Sequence, residues 1–166
     1  MTVRSFTDST RINLPVDQLD VREWLFQMTD AEYAEASSAH RAAGVWQRNG
    51  ERGMVNVESI GGHLFVQHYN EVPGTPDKVV MYSPASRMYL LHTVPVSVAI
   101  TWTMWVEADG PDASRFHCTV QVEMGTVLGL MGASISTFRA ARKHTEDETV
   151  GYARDLERAM RAKSAR

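Results

Sequence analysis

Hydrophobic and polar positions follow two different periods along this chain. The clearest alternation with period two lies near the middle. In VAITWTMWVEA, Ile100, Trp102, Met104 and Val106 alternate with Thr101, Thr103, Trp105 and Glu107. After the turn DGPDAS, Phe116, Cys118, Val120, Val122 and Met124 alternate with His117, Thr119, Gln121 and Glu123. Successive side chains on a strand point to opposite faces, so the two segments predict a hairpin with one dry and one wet face. The period then lengthens. Ile135, Phe138, Thr145, Thr149, Tyr152, Leu156 and Ala159 recur at helical spacing, and Arg142/Glu146, Lys143/Asp147 and Glu157/Arg161 are opposite charges four apart on the other side. Together they predict one helix over 133–162, a rod of roughly 45 Å.

The remaining segments supply more strands and two small helices. VRSFTDSTRIN, residues 3–13, reads as a first strand. Pro15 then opens an amphipathic helix carrying Val16, Leu19, Val21, Trp24, Leu25 and Met28. Thr29 or Asp30 caps a second helix, AEYAEASSAHRAAG, which Gly44 ends. From Val45 the chain alternates again. Asn49-Gly50 signals a hairpin, which the polar ERG after it lengthens beyond two residues. HLFVQHYNEV is closed by PGTPD, whose prolines and glycine keep it out of any ladder. KVVMYS stops at Pro84, and SRMYLLHTV runs to Pro95. The expected architecture is α+β and spans residues 1–166 as one domain: a curved antiparallel sheet of six or seven strands wrapped around a long C-terminal helix, with two short helices after the first strand. Thr145 and Thr149 sit mid-stripe with Gly151 beside them, where a filled core would prefer leucine, and a curled sheet gripping one rod leaves room for an internal cavity. The glycines of GTVLGLMG are either a gate at its mouth or plain helix-capping glycines.

Composition narrows the function classes. A net charge of -3 gives no reason to expect a nucleic-acid partner. The N-terminus lacks an apolar signal core and no stretch is long enough to cross a membrane, so a cytoplasmic protein is expected. Cys118 is the only cysteine and falls on the apolar side of its strand, as a buried thiol. His40, His63, His68, His92, His117 and His144 show no tight ligand spacing, so neither a metal nor another cofactor is expected. There is no phosphate-cradling lysine loop and no nucleophile elbow.

The order of elements, with INLPVDQLDVREWLFQMTDAEY, WTMWVEADGPDASRFHCTVQVEM and HTEDETVGYARDLERAM as its carriers, resembles the helix-grip superfamily. That superfamily includes START lipid-transfer domains, birch-pollen allergens and polyketide aromatase/cyclases. The resemblance covers nearly the whole chain and implies a hydrophobic tunnel between sheet and helix. It carries over no catalytic position. Residues 45–60 lack the turn-glycine pattern of the plant allergens.

Strand parity selects the candidate site. If Leu64 and Val66 face inward, so does His68; a slip of one residue brings Phe65, Gln67 and Tyr69 inward instead. If Met88, Leu90 and Val94 face inward, so does His92. A histidine in an apolar cavity is either a general base near neutral pH or a core residue satisfied by a carbonyl. Tyr69 and Tyr82 are the further acid–base candidates. The expected ligand lining is Trp102, Met104, Leu90, Met88, Val66, Phe116, Val120, Phe138, Thr145, Thr149 and Tyr152. Asn56 and Glu58 share a parity opposite to Val55 and Val57 and are expected outside. Three readings stay open: a carrier of a hydrophobic small molecule such as a lipid, polyketide or aromatic compound, a cyclase, aromatase or dehydratase, or a partner-binding domain resembling a co-chaperone. A homodimer is compatible with each.

Overall fold

The computed structural model describes residues 2–125 and 135–165. Seven antiparallel strands form one sheet in the order β1-β7-β6-β5-β4-β3-β2, and the long helix lies across it. The elements run β1 (Thr2–Ile12), α1 (Val21–Gln27), α2 (Asp30–Ala36), β2 (His40–Arg48), β3 (Glu51–Ile60), β4 (His63–Thr75), β5 (Lys78–Leu90), β6 (Val94–Ala108), β7 (Ser114–Met124) and α3 (Ile135–Ser164). The first strand closes onto the last, with Thr2 opposite Met124 and Ile12 opposite Ser114. At thirty residues, α3 is about 45 Å long. The segment GTVLGLMG, expected as either a gate or helix-capping glycines, lies outside the described residues beyond Gly125.

Several expected boundaries move. Pro15 starts only a 3-10 turn, Val16–Gln18; Asp20 then caps α1 by accepting from the Glu23 amide at 2.9 Å. Thr29 caps α2 in a reciprocal box with Glu32. The second helix does not reach Gly44: Ser37 turns extended at Ala36, and His40–Arg48 pairs with β3 as an edge strand. Ladder pairing there overrides the helix propensity of the alanines. Asn49 and Gly50 form a two-residue turn with φ of 52° and 82°, and Arg48 pairs directly with Glu51, so ERG belongs to the strand. Strand β4 continues through Pro73 and Gly74, leaving Pro76 and Asp77 as the turn. Strand β5 passes through exposed Pro84 because a bulge between Ser83 and Ser86 interrupts its ladder to β6 at that point. Leu91 and His92, with φ of 50° and 62°, then reverse the chain before β6.

The C-terminal half of α3 is packed solidly. Tyr152, Ala153, Leu156 and Met160 are buried against Trp24, Tyr33, Phe116 and the inward residues of β5 and β6. Trp24 meets the Tyr152 ring edge-on at 5.7 Å and donates from Nε1 to Asp155 at 2.8 Å. The end of α2 comes so close to α3 that a Cβ on Gly151 would lie 2.1 Å from the Ala36 carbonyl oxygen. Gly151 therefore sets the helix–helix approach rather than lining a cavity. On the solvent side, the Lys143/Asp147 and Glu157/Arg161 pairs form as the charge spacing predicts.

Candidate functional site

The N-terminal half of α3 does not fill the sheet. Between Thr137, Ala141, His144, Thr145 and Glu148 and the concave face lies a cavity of about 60 Å³. Its sheet-side walls are Phe6, Ile60, Phe65, Tyr69, Ile100, Trp102, Val120 and Val122, and one end is closed by Glu58, Gln67, His144 and Glu148. Thr145 carries its hydroxyl back to the Ala141 carbonyl at 3.1 Å, and Thr149 to the Thr145 carbonyl at 2.6 Å. The helix thus absorbs the Thr145 hydroxyl on the wall and that of Thr149 in the core beyond it; apart from these and Thr137, whose hydroxyl meets His63 Nε2 at 3.4 Å, the polar side chains of the wall are the four at that end.

The closed end is a buried ionisable network. Glu58 accepts from the Tyr33 hydroxyl at 2.5 Å on Oε1 and from Gln67 Nε2 at 3.2 Å on Oε2, and His144 Nε2 stands 3.6 Å from that same Oε2. His144 also lies 3.4 Å from Glu148, one helical turn on. Burial alone raises the Glu58 carboxyl, but His144, His40 and Tyr33 outweigh it and hold Glu58 well below the usual carboxylate range. Glu148 goes the other way: burial and the nearby Glu58 charge push it up to about 8, with His144 only partly offsetting them. Burial lowers His144, yet the two carboxylates lift it to about 9. The three groups therefore form one proton-sharing cluster, in which the surroundings favour the charged forms of Glu58 and His144 and the neutral form of Glu148. Gln67 Oε1 and Glu148 Oε2 are buried without a hydrogen-bond partner. Such a wall can accept a hydrogen bond, donate one, and exchange a proton with a bound molecule.

The expected site residues separate. Trp102, Val120, Thr145 and Tyr69 come together on the cavity wall. Met104, Phe116, Thr149 and Tyr152 are fully buried in the packed core, and Met88 is buried beyond the cavity. Leu90 is partly buried, and Phe138 packs at 6.4 Å on Phe6, with Arg4 over its ring. Val66 is half-buried on the convex face, because β4 takes the register that puts Phe65, Gln67 and Tyr69 inward. His68 is exposed on that convex face, contrary to the inward parity. His92 is exposed in the β5–β6 turn, where it meets Ser59 at 3.4 Å, and Tyr82 is 39 % exposed. Asn56 and Glu58, expected outside, are 1 % and 4 % exposed. The ionisable residues missed by parity are His144 and Glu148, whose i, i+4 spacing on α3 was the available signal, and His40, hidden inside a segment that reads as helix.

No protein-family model and no curated protein sequence matches this chain, whereas solved structures do. It is similar to a Thermus thermophilus protein over 97% of this chain and 99% of that one, with TM-score 0.65 and 13% identity. It is similar to the Zhui aromatase/cyclase from Streptomyces over 98% and 96%, with TM-score 0.59 and 12% identity. It is also similar to a START superfamily protein from Mycobacterium smegmatis over 95% and 97%, with TM-score 0.57 and 11% identity. At such identities the likeness is one of fold. No helix among the described residues is long and apolar enough to cross a membrane.

Proposed function

Because this chain has the helix-grip fold of START-superfamily and aromatase/cyclase structures, we propose that it binds a small, largely apolar molecule with one hydrogen-bonding end in the cavity under α3. The observation that carries this is the pairing of an apolar wall with a buried acceptor that has no hydrogen-bond partner, Gln67 Oε1, at one end of it, beside Glu148, whose Oε2 touches His144 Nε2 at 3.4 Å without a hydrogen bond. An unsatisfied buried acceptor or donor costs about 1–3 kcal/mol, which a ligand's polar end would recover. Size sets the class. A water needs about 10–15 Å³ of such space and occupies about 30 Å³ in the liquid, so the cavity corresponds to about 120–180 Å³ of liquid, the volume of one aromatic ring. A lipid or polyketide chain would exceed it. The partner-binding reading has less support, since the large exposed apolar side chains among the described residues are few and fall in separate small groups: Val72 with Tyr82, Leu91 with Val94, and Val3 and Val150 elsewhere.

Thermal shift and native mass spectrometry with phenol, benzamide, acetophenone, toluene and a long-chain fatty acid test the proposal. The single-ring compounds with a polar substituent are expected to bind one per chain, ahead of toluene. Ala141→Leu, which fills the cavity from α3, is expected to abolish that binding while leaving the fold intact. Failure of every ring compound, or a fatty acid that no ring compound displaces, would refute it. In the same samples, deuterium exchange at the acetophenone methyl reports on proton transfer. Exchange that disappears in His144→Gln would make the protein an enzyme acting on its ligand, and its absence leaves a carrier.

A further inference from the structure

His40 opens β2 and is 4 % exposed, yet its Nε2 has no hydrogen-bond partner. Its ring is fixed from behind. The Nδ1 atom lies 2.6 Å from the Tyr33 carbonyl oxygen, and the ring stacks on Tyr33 at 3.9 Å between centroids. A carbonyl can only accept, so Nδ1 carries the proton and Nε2 presents a lone pair to the interior. The His144 ring is also held from behind, with Nδ1 3.2 Å from the Ser37 hydroxyl, which can donate or accept; its Nε2 gives up its proton when an ion binds. The Glu148 Oε2 atom, also buried and without a hydrogen-bond partner, stands 3.4 Å from His144 Nε2. One ligand atom from each of these three residues lies within 4.8 Å of the others.

We propose that His40, His144 and Glu148 form a binding site for one divalent transition-metal ion. Two imidazoles and one carboxylate suit borderline ions such as zinc, cobalt(II) and iron(II), and not magnesium or calcium, which take oxygen ligands. With metal–nitrogen distances of about 2.0–2.1 Å, neighbouring ligand atoms on a tetrahedral ion stand about 3.4 Å apart. His144 and Glu148 already have that separation. A separation at the 4.8 Å limit closes by about 1.4 Å on loading. The ring nitrogens facing away from the ion are engaged by the Tyr33 carbonyl and the Ser37 hydroxyl, the outer support that metal-ligating histidines need. On loading, His144 and Glu148 release their protons, and Glu58 beside His144 brings the anionic charge to two and balances the ion. His144 and Glu148 also line the cavity, so the ion stands at its polar end. The site does not depend on the ligand proposed above.

The full-length protein, stripped with chelator and then loaded with cobalt(II) or zinc(II), tests this directly. One ion per chain is expected to survive desalting, with the visible absorption of low-coordinate cobalt(II). Zinc at about a hundredfold over its dissociation constant is expected to raise the melting temperature by about 5–10 °C. Magnesium and calcium are expected to do neither. His40→Asn and Glu148→Gln should each weaken cobalt binding at least about tenfold, as loss of a ligand or its support does, while His117→Ala, far from the cluster, leaves it unchanged. A wild-type chain that retains no ion, a His40→Asn chain that retains it fully, or an equal shift with magnesium would overturn the site. Cobalt binding without ring binding would sink only the ligand proposal, and ring binding without cobalt only this one.

Discussion

Replacing Gly151 by alanine separates two opposing forces cleanly. In an unconstrained helix interior the change would stabilise by about 0.8–1 kcal/mol, because glycine loses the most backbone freedom on ordering. Here the new Cβ would stand 2.1 Å from the Ala36 carbonyl oxygen and 2.7 Å from its carbonyl carbon, where ordinary contact begins at 3.4 Å. The obstacle is backbone, so no rotamer change relieves it. Nor can the end of α2 easily retreat: its start is locked by the Thr29–Glu32 capping box, and Tyr33 is held by the His40 stack and the Glu58 hydrogen bond. Overpacking of this kind costs about 3 kcal/mol, the upper end of its usual range, and subtracting the propensity gain leaves a net loss of about 2 kcal/mol. In a chain of this size that lowers the melting temperature by about 4–8 °C. Urea unfolding of wild type and Gly151→Ala, followed by far-ultraviolet circular dichroism, measures the difference. A variant as stable as wild type, or about 1 kcal/mol more stable as propensity alone dictates, would show that α2 and α3 are not in the contact described.

Glu71 supplies a pH test. Its carboxylate is 8 % exposed and clamped by Arg22 at 2.5 and 3.0 Å and by Arg52 at 3.2 and 3.3 Å. Burial raises Glu71, but the two guanidiniums outweigh it and hold the carboxyl below its ordinary 4.5. A carboxyl depressed by folding adds stability that is present above 4.5 and lost as pH falls through the lower folded value. Glu71→Gln should therefore be less stable than wild type at neutral pH and show a shallower acid decline in urea midpoints measured across pH; parallel declines would refute the clamp. The double variant His68→Ala, His92→Ala should bind ring ligands within about twofold of wild type, since both side chains face solvent away from the cavity. A tenfold loss in titration calorimetry would place one of them at the ligand.

How much of this was legible follows the strength of each local signal. The β6–β7 hairpin and α3 could be read directly, because each buries one face and leaves the other wet, so polarity and geometry agree residue by residue. The facing of β4 could not be decided from HLFVQHYNEV, where both parities carry large apolar side chains: Phe65 and Tyr69 on one, Leu64 and Val66 on the other. The structure half-buries the second set on the convex face, so hydrophobicity does not discriminate between them. The residues after Ala36 failed for a different reason. SSAHRAAG has helix-forming composition, and only pairing with β3, from His40 with Glu58 to Gly44 with Val55, makes it a strand. Pro73 and Pro84 do not break their strands, because proline excludes only a central ladder hydrogen bond and both positions are exposed at irregular pairings.

The most informative failure is on β3. Val55 and Val57 alternate with Asn56 and Glu58, and the ordinary rule sends the valines to the core and the polar residues to water. The chain does the reverse: Asn56 and Glu58 are almost wholly buried, while the valines are only half-buried on the convex face. Burying a carboxylate is expensive even when it is paired, and a well-packed apolar residue of similar volume is often neutral or more stable. Folding alone therefore gives no reason to aim Glu58, Gln67, His144 and Glu148 at one point, still less to leave polar atoms of Gln67 and Glu148 without a hydrogen bond. Local rules are broken in natural proteins chiefly where function requires it. The inversion of β3 coincides with the one end of an otherwise apolar cavity that is polar, on the half of α3 that leaves space beneath it. The other half of the same helix, from Tyr152 to Met160, is packed as tightly as any core. A single rod thus divides its work: its C-terminal turns hold the sheet, and its N-terminal turns present His144 and Glu148 to whatever enters.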